Sequence, residues 1–438
     1  MTLEGKLFGT DGVRGIAGTE LTAELALSLG RAAAAEAGTA RPQVLIVRDT
    51  RESGPMLESA LASGIAEGGG DALLAGILPT PAASVLVRRL GLDLGAVVSA
   101  SHNPWQHNGI KFFGPDGRKL GDDLERRIEA RVTGSGAPSP SVGRVRTLEG
   151  ALDDYVRELT STFRLDLSGR RVLLDCANGA TYRVAPIVFE RLGAAVEAHA
   201  DEPDGRNINE RCGSTHPEAL ARAMRESDAD LGFALDGDGD RVIAVDSSGA
   251  IRDGDELIAL CAAGLSRNGA LAGGVVVTVM TNYGFHEAMR RAGIEVATTP
   301  VGDRHVAAQL EERGWSLGGE QSGHIIWPEY GPTGDGIAAA LLVMEALGDE
   351  SLAAAIPMRK LPQVLRNVAI ADRTVIDDAT AVWEAVDREN AALEGRGRVL
   401  VRPSGTEPLI RVMTEAPTMD ESEQVCERLV ALISRELA

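Results

Sequence analysis

Leu231-Gly232-Phe233-Ala234-Leu235-Asp236-Gly237-Asp238-Gly239-Asp240-Arg241-Val242-Ile243-Ala244-Val245 reads as strand, acidic loop, strand. The flanking apolar runs have the length of buried strands and are too short for ordinary helices. The loop crowds three carboxylates into five residues, and these repel one another unless a cation holds them. Ligands made of oxygen alone suit a hard ion such as Mg²⁺. The glycines let the backbone curl so that alternate side chains converge. An EF-hand also uses positions 1, 3 and 5. Here its sixth position would be Arg241 where Gly is needed, and its twelfth Ser247 where Glu is needed. The plain alternative is a solvated acidic turn. A loop at the tip of a sheet, where α/β proteins place ligands, favours the cation site.

Outward from this loop, one rhythm occurs three times: a β-branched run, a polar loop, an amphipathic helix, a glycine and another apolar run. The copies start at Val44–Val47, Val172–Leu174 and Val275–Val277. Their helical stripes are Leu57, Leu61 and Ile65; then Val184, Ile187 and Val188; then Phe285, Ala288, Met289 and Ala292. Strands alternating with helices imply α/β domains with partly parallel sheets, and three copies imply internal triplication. Thr133 to Gly143 is a turn-rich connector, and a second boundary falls near Asp246 to Gly254. From about Leu361 the rhythm stops, which predicts a smaller, separate domain. The expected fold is α/β: three related mixed α/β domains plus a smaller C-terminal α+β domain around a central active-site cleft. Expected bounds are 1–150, 151–248, 249–360 and 361–438.

The 438 residues carry 44 Lys plus Arg against 64 Asp plus Glu, a net charge of −20 that repels nucleic acid and anionic lipid. Aromatics are 3%, so the core must come from Leu, Val, Ile and Ala. Four cysteines without C-x-x-C spacing argue against zinc or a disulfide framework and fit a reducing compartment. The N-terminus shows no apolar signal region, and no apolar run approaches the ~20 residues that span a bilayer. No membrane association and a cytoplasmic location are expected.

Three further stretches carry chemistry. Val98-Ser99-Ala100-Ser101-His102-Asn103-Pro104 presents Ser101 on a turn at a strand end. No G-x-S-x-G elbow surrounds it, which disfavours acyl transfer. A serine that cycles through a phosphoserine needs a nearby metal, which the aspartate loop could supply. A buried turn serine is the bland reading of this motif taken alone. In Gly318-Gly319-Glu320-Gln321-Ser322-Gly323-His324, Glu320 can accept hydrogen bonds from vicinal hydroxyls, and Ser322 and His324 add polar contacts. An ordinary turn is the alternative. In Arg402-Pro403-Ser404-Gly405-Thr406-Glu407-Pro408-Leu409-Ile410-Arg411, a Ser-Gly-Thr loop between two arginines suits a phosphate. No Walker pattern occurs, so an ATP P-loop is not the explanation.

With Phe8-Gly9-Thr10-Asp11-Gly12-Val13-Arg14-Gly15, these motifs stand in an order that resembles the α-D-phosphohexomutase superfamily over essentially the whole chain. Gln321, Asn207 to Glu218 and the loop Val301-Gly302-Asp303-Arg304 resemble its glucosamine-phosphate branch. The resemblance implies that the four domains carry, in order, the phosphoserine, the metal, sugar recognition and a phosphate grip. It implies a phosphorylated Ser101, with Mg²⁺ held by Asp236, Asp238, Asp240 and a Ser101 phosphate oxygen. Arg14 and Arg241 would steady the phosphoserine, and Lys111 and His324 would be the acid and base. Glu320, Ser322, Gly302 and Asp303 would read the sugar. Arg402, Ser404, Gly405, Thr406 and Arg411 would hold the phosphate that is not reacting.

The implied reaction interconverts glucosamine 6-phosphate and glucosamine 1-phosphate, feeding amino-sugar and cell-wall precursors. A hexosamine (or glucose) 1,6-bisphosphate would serve as intermediate and primer. The implied partner is a small sugar phosphate, and the implied assembly a monomer or homodimer. His107 stands where relatives often carry Asp, and His305 where Tyr is common. The alternatives are a phosphomannomutase/phosphoglucomutase, a non-catalytic sugar-phosphate sensor, which should have lost Ser101 or an aspartate, and a metal-dependent sugar phosphatase.

Overall fold

The β-branched runs become the central strands of three sheets. A computed structural model describes residues 7–9, 11–134, 141–370, 373–376, 378–404 and 408–437. Part of the expected connector, 135–140, lies outside the described residues, as do Gly405 and Thr406 of the expected phosphate loop. Strands are numbered in chain order. The first sheet comprises β1 (Val13–Ile16), β2 (Gln43–Arg48), β3 (Asp71–Ile77), β4 (Leu94–Val98), β5 (His107–Phe113) and β6 (Val145–Thr147), in the order β1-β5-β4-β2-β3-β6. The second has β7 (Arg171–Asp175), β8 (Ala195–His199), β9 (Leu231–Leu235), β10 (Val242–Asp246) and β11 (Ile251–Arg252), ordered β11-β10-β9-β7-β8. The third has β12 (Val275–Thr278), β13 (Val296–Thr299), β14 (Leu317–Gly319) and β15 (Ile325–Ile326), ordered β13-β12-β14-β15.

One four-strand motif underlies all three. In the first sheet β2 runs parallel to β3 and β4, and β4 runs antiparallel to β5. The same pairing recurs as β8-β7-β9-β10 and as β13-β12-β14-β15. These are three related mixed α/β units. Their central strands are buried on both faces, which is why Val44 to Val47 reads as a continuous apolar run with no exposure. The helix Gly54–Glu67 covers one face through Leu57, Leu61 and Ile65.

The last sheet is different. β16 (Gln363–Ala369), β17 (Arg398–Pro403) and β18 (Leu409–Glu415) pair entirely antiparallel in the order β16-β18-β17. The helix Met419–Leu437 buries Val425, Leu429 and Ile433 in this core, with Leu432 only partly covered.

The chain divides into two compact units, Met1–Val279 with Glu295–Ile356, and Met280–Ile294 with Pro357–Ala438. The three related sheets lie in the first. The helix Tyr283–Ala292 belongs to the second, where buried Glu415 accepts hydrogen bonds from the Tyr283 N–H (2.9 Å), Asn282 Nδ2 (3.2 Å) and Arg398 Nε (2.8 Å). This helix buries Phe285, Ala288 and Met289, but Ala292 is exposed. The expected stripe ends one turn early because the helix stops there, at left-handed Gly293. All four cysteines are buried and free. Among the described residues no helix is long and apolar enough to cross a membrane.

Candidate active site

Ser101 sits just past the end of β4, buried, with φ at +52°, a left-handed conformation that a residue with a Cβ adopts at some cost. Its surroundings hold it there. The Ser101 N–H donates to Ser99 Oγ (3.0 Å), and Ser99 Oγ donates to Asp49. Arg51 has no solvent exposure. It donates from Nε to Asp49 (2.8 Å) and from its terminal nitrogens to the carbonyls of Ser101 and Asn103 (2.8 Å each) and of Pro104. Asn209 Nδ2 adds a second donor to the Ser101 carbonyl at 3.0 Å. The turn's carbonyls thus converge on one buried guanidinium, whose planar fork suits this better than an ammonium.

The aspartate loop meets this turn. Ser101 Oγ donates to Asp236 Oδ2 at 2.6 Å. Asp236, Asp238 and Asp240 are all buried, and one carboxylate oxygen from each lies within 4.8 Å of the others. The glycines between them are needed for space as well as for curvature. A Cβ on Gly237 would lie 2.6 Å from the Ser101 carbonyl oxygen, and Gly239, at φ +72°, would press one onto Thr181 at 2.4 Å. Asp238 Oδ2 accepts from Thr80 Oγ1 (2.6 Å) and Lys111 Nζ (2.8 Å), and Asp236 Oδ1 from the Arg241 N–H (3.2 Å). Asp238 Oδ1 and Asp240 Oδ1 are buried without a hydrogen bond. Buried carboxylate oxygens without hydrogen bonds, in a loop whose three carboxylates each bring one oxygen within 4.8 Å of the others, are costly unless a cation joins them. The oxygen-only donor set fits a hard divalent ion.

Charge within the loop is divided unevenly. Burial, then the charges of Asp240 and Asp238, push the Asp236 carboxyl well above its usual range. Burial would also raise Asp238, but adjacent Lys111 and the Thr80 hydroxyl hold it below that range. Lys111 is itself buried on β5. Burial works against its charge, yet Asp11, Asp238 and Asp240 outweigh that and keep it a firm ammonium. His324 Nδ1 lies 3.6 Å from Asp240 Oδ2, while Nε2 accepts the Gly334 N–H at 3.2 Å and lies 3.8 Å from Asp303 Oδ2. The Gly334 bond suits a neutral ring. Burial also opposes charge, but Asp240 and Asp303 outweigh it and raise the ring's pKa. A ring under opposing demands is suited to gaining and losing a proton.

Around this centre, Arg241 Nε stands 3.8 Å from Asp240 Oδ1, and Arg14 pairs with Asp11. Glu320 Oε1 accepts the Gly302 N–H at 3.0 Å, so one of its oxygens already fixes the loop before the helix Asp303–Arg313. Ser322 and His305 are exposed, and His107 is half-buried opposite Ile16. Asp303 is engaged with Lys119 at 2.6 Å and not simply open to a sugar.

In the second unit, Arg402 on β17 stands directly across from Arg411 on β18. Two like charges in one cross-strand pair destabilise a sheet. Burial and the Arg411 charge together lower the Arg402 pKa. Such a pair suits a bound anion. Ser404 beside it is buried, its N–H donating to the Leu409 carbonyl at 2.9 Å.

The first unit therefore gathers Ser101, the three aspartates, Lys111, His324, Arg241, Arg14 and Asp303. The sequence patterns assign no role to Arg51, Asp49, Asn209, Thr80, Asp11 or Lys119. Arg48-Asp49-Thr50-Arg51 did carry a signal, since three charges directly after an all-apolar strand mark its ligand-facing end.

The phosphoglucomutase/phosphomannomutase family descriptions match along the chain in order. Alpha/beta/alpha domain I covers residues 5–137, domain II 153–249, domain III 253–362 and the C-terminal domain 365–432. The chain belongs to this family, the phosphohexomutases. Within it, its sequence sides with the phosphoglucosamine mutases: that of Desulforudis audaxviator is 51% identical over 98% of both chains. Among solved structures, a phosphoglucomutase/phosphomannomutase family protein of Burkholderia thailandensis superposes with TM-score 0.82 at 26% identity, over 98% of each chain. The N-acetylphosphoglucosamine mutase of Aspergillus fumigatus, in complex with GlcNAc-6P and magnesium, has TM-score 0.72 at 18% identity, covering 98% of this chain and 95% of that one, a likeness of fold.

Proposed function

We propose that the chain is a phosphoglucosamine mutase that interconverts glucosamine 6-phosphate and glucosamine 1-phosphate through phospho-Ser101 and a glucosamine 1,6-bisphosphate. The observation that carries this is Ser101 Oγ at 2.6 Å from Asp236, inside a buried triple-aspartate site, in a chain about half identical to phosphoglucosamine mutases. Mg²⁺ is the ion named with the Aspergillus enzyme, and Asp236, Asp238, Asp240 and a Ser101 phosphate oxygen would hold it here. When bound, it neutralises charge on the phosphoryl oxygens.

The chain's own groups do the rest. The Arg51-held turn fixes Ser101, so the phosphoryl group is presented from one place. In transfer, the bond from phosphorus to Ser101 Oγ breaks and a bond to a sugar hydroxyl oxygen forms. The hydroxyl proton leaves to a base, and Ser101 Oγ receives a proton from an acid. Lys111 and His324 are the groups for these roles. Arg14 and Arg241 steady the phosphoserine. Glu320, Ser322, Gly302 and Asp303 meet the sugar. Arg402, Ser404, Gly405, Thr406 and Arg411 hold the idle phosphate. The return of the other phosphate to Ser101 completes the exchange.

The test is a coupled assay with glucosamine, mannose and glucose phosphates in Mg²⁺. A strong preference for a neutral sugar would move the chain to the phosphomannomutase/phosphoglucomutase branch. Net release of free phosphate would make it a phosphatase, and no turnover at all a sensor.

A further inference from the structure

Six charged side chains and one histidine close into a ring in the first unit. Asp238 meets Lys111 at 2.8 Å, and Lys111 lies 3.6 Å from Asp11. Asp11 meets Lys119 at 2.5 Å, and Lys119 meets Asp303 at 2.6 Å. Asp303 lies 3.8 Å from His324 Nε2, and His324 Nδ1 lies 3.6 Å from Asp240. The ring begins and ends on the aspartate loop. It passes through both proton-transfer candidates, and its far point is Lys119, whose side chain is 13% exposed.

The members outside the aspartate loop come from separate parts of the chain. Asp11 sits in the turn before β1, Lys119 just beyond β5 where it bridges back to Phe113, and Asp303 at the first position of the helix Asp303–Arg313. A mechanical strut between that helix and the first sheet would not need Lys119. Arg304 on the same helix already pairs with Asp122 at 3.0 Å and with Glu125, and Arg118 pairs with Glu311 at 3.0 Å. Among the described residues, Lys119 alone touches the carboxylate beside Lys111 and the carboxylate beside His324 at once. Without its ammonium, Asp11 and Asp303 would be two anions sharing a partly buried space, and they would move apart.

We propose that Lys119 is a positioning residue for phosphoryl transfer: by bridging Asp11 and Asp303 it fixes Lys111 against Asp238 and His324 against Asp240. The geometry needed is strict. A displacement of about 1 Å in a transferring group costs roughly a hundredfold in rate, and a single cation setting both groups ties their placement together. The proposal rests on the reading of Lys111 and His324 as the acid and base.

The test uses the full chain with Mg²⁺ and both glucosamine phosphates. Lys119→Met should lower kcat roughly ten- to a hundredfold, and KM should change by less than kcat falls, because the acid and base both shift while only one sugar contact, Asp303, loses its anchor. Lys119→Arg, whose fork spans two carboxylates, should restore most of kcat. Arg304→Met is the strut control and should lower the thermal midpoint with little effect on kcat. A Lys119→Met enzyme with near-normal kcat, or one that changes only in midpoint or KM, overturns the proposal, as does a failure of Arg to rescue. If Lys119→Met does not fold, Lys119→Gln reads the same constants, and an unchanged kcat there is equally fatal. A wild-type chain inactive on glucosamine phosphates, or an active Ser101→Ala, sinks the functional reading itself. An active wild type with an indifferent Lys119 sinks only this inference.

Discussion

Arg51→Met should destabilise the protein and slow catalysis for one reason. The wild-type guanidinium, with no solvent exposure, satisfies buried Asp49 and three carbonyls of the Ser101 turn. Removing one member of a buried ion pair strands the other charge, at a cost of about 3–5 kcal/mol. The bonds to the carbonyls are not added on top, because they are lost in the same event. Taking about 4 kcal/mol, the folding constant falls roughly a thousandfold. Asn209 still donates to the Ser101 carbonyl, so the turn is loosened, not abandoned. A shift of about 1 Å at Ser101 would then cost roughly a hundredfold in kcat. Asp49→Asn combined with Arg51→Met removes the stranded charge and should recover about half of the lost stability, with little recovery of kcat. Urea unfolding followed by circular dichroism gives the first quantity, and the coupled mutase assay the second. A loss below about 1 kcal/mol together with near-normal kcat would refute the claim that Arg51 holds the nucleophile.

Three further outcomes follow from the geometry. Asp238→Asn removes a carboxylate whose Oδ1 has no hydrogen bond in the protein. Activity should fall, and the Mg²⁺ needed for half-activation should rise about tenfold or more; an unchanged Mg²⁺ titration would contradict its role. Arg411→Met removes one arginine of the Arg402–Arg411 cross-strand pair. It should raise KM for the sugar phosphate, and a normal KM would remove the phosphate grip from the account. Asp335, buried and capping the helix Gly336–Leu347 while accepting from Tyr155 Oη at 2.6 Å, is pushed by burial from 3.8 to about 6. The folded state then holds this proton more tightly than the unfolded chain. Its contribution to stability is fully present below about pH 4 and is lost as pH rises through 6, a change of about 3 kcal/mol. Asp335→Asn keeps a capping oxygen and should flatten that slope in urea titrations between pH 4 and 6. An unaltered slope would show that another group is responsible.

What the chain discloses before folding is what its local patterns encode. The strand-loop-strand at Leu231 to Val245, the serine turn and the thrice-repeated rhythm are contiguous, and each became the expected element. Ala292 misled because periodicity does not say where a helix stops; Gly293 does. The missing parts of the site were those made by distance in the chain. Arg51 reaches Ser101 across 50 positions and Lys119 reaches Asp303 across 184, so no window of sequence contains either partnership. Asp11 lies inside the motif Phe8 to Gly15, in which the resemblance gives a role to Arg14 alone. Asp303, read as a sugar contact, is also the neighbour of His324, a relation set by how the third sheet meets the first.

Ser101 beside the triple-aspartate site is the centre of the account, and intact-protein mass spectrometry with peptide mapping tests it most directly. After incubation with glucosamine 1,6-bisphosphate and Mg²⁺, one phosphoryl group should appear, on Ser101 alone. It should leave again when glucosamine 6-phosphate is added, with bisphosphate formed in step. Turnover by a protein that carries phosphate at another residue, or at none, would contradict it.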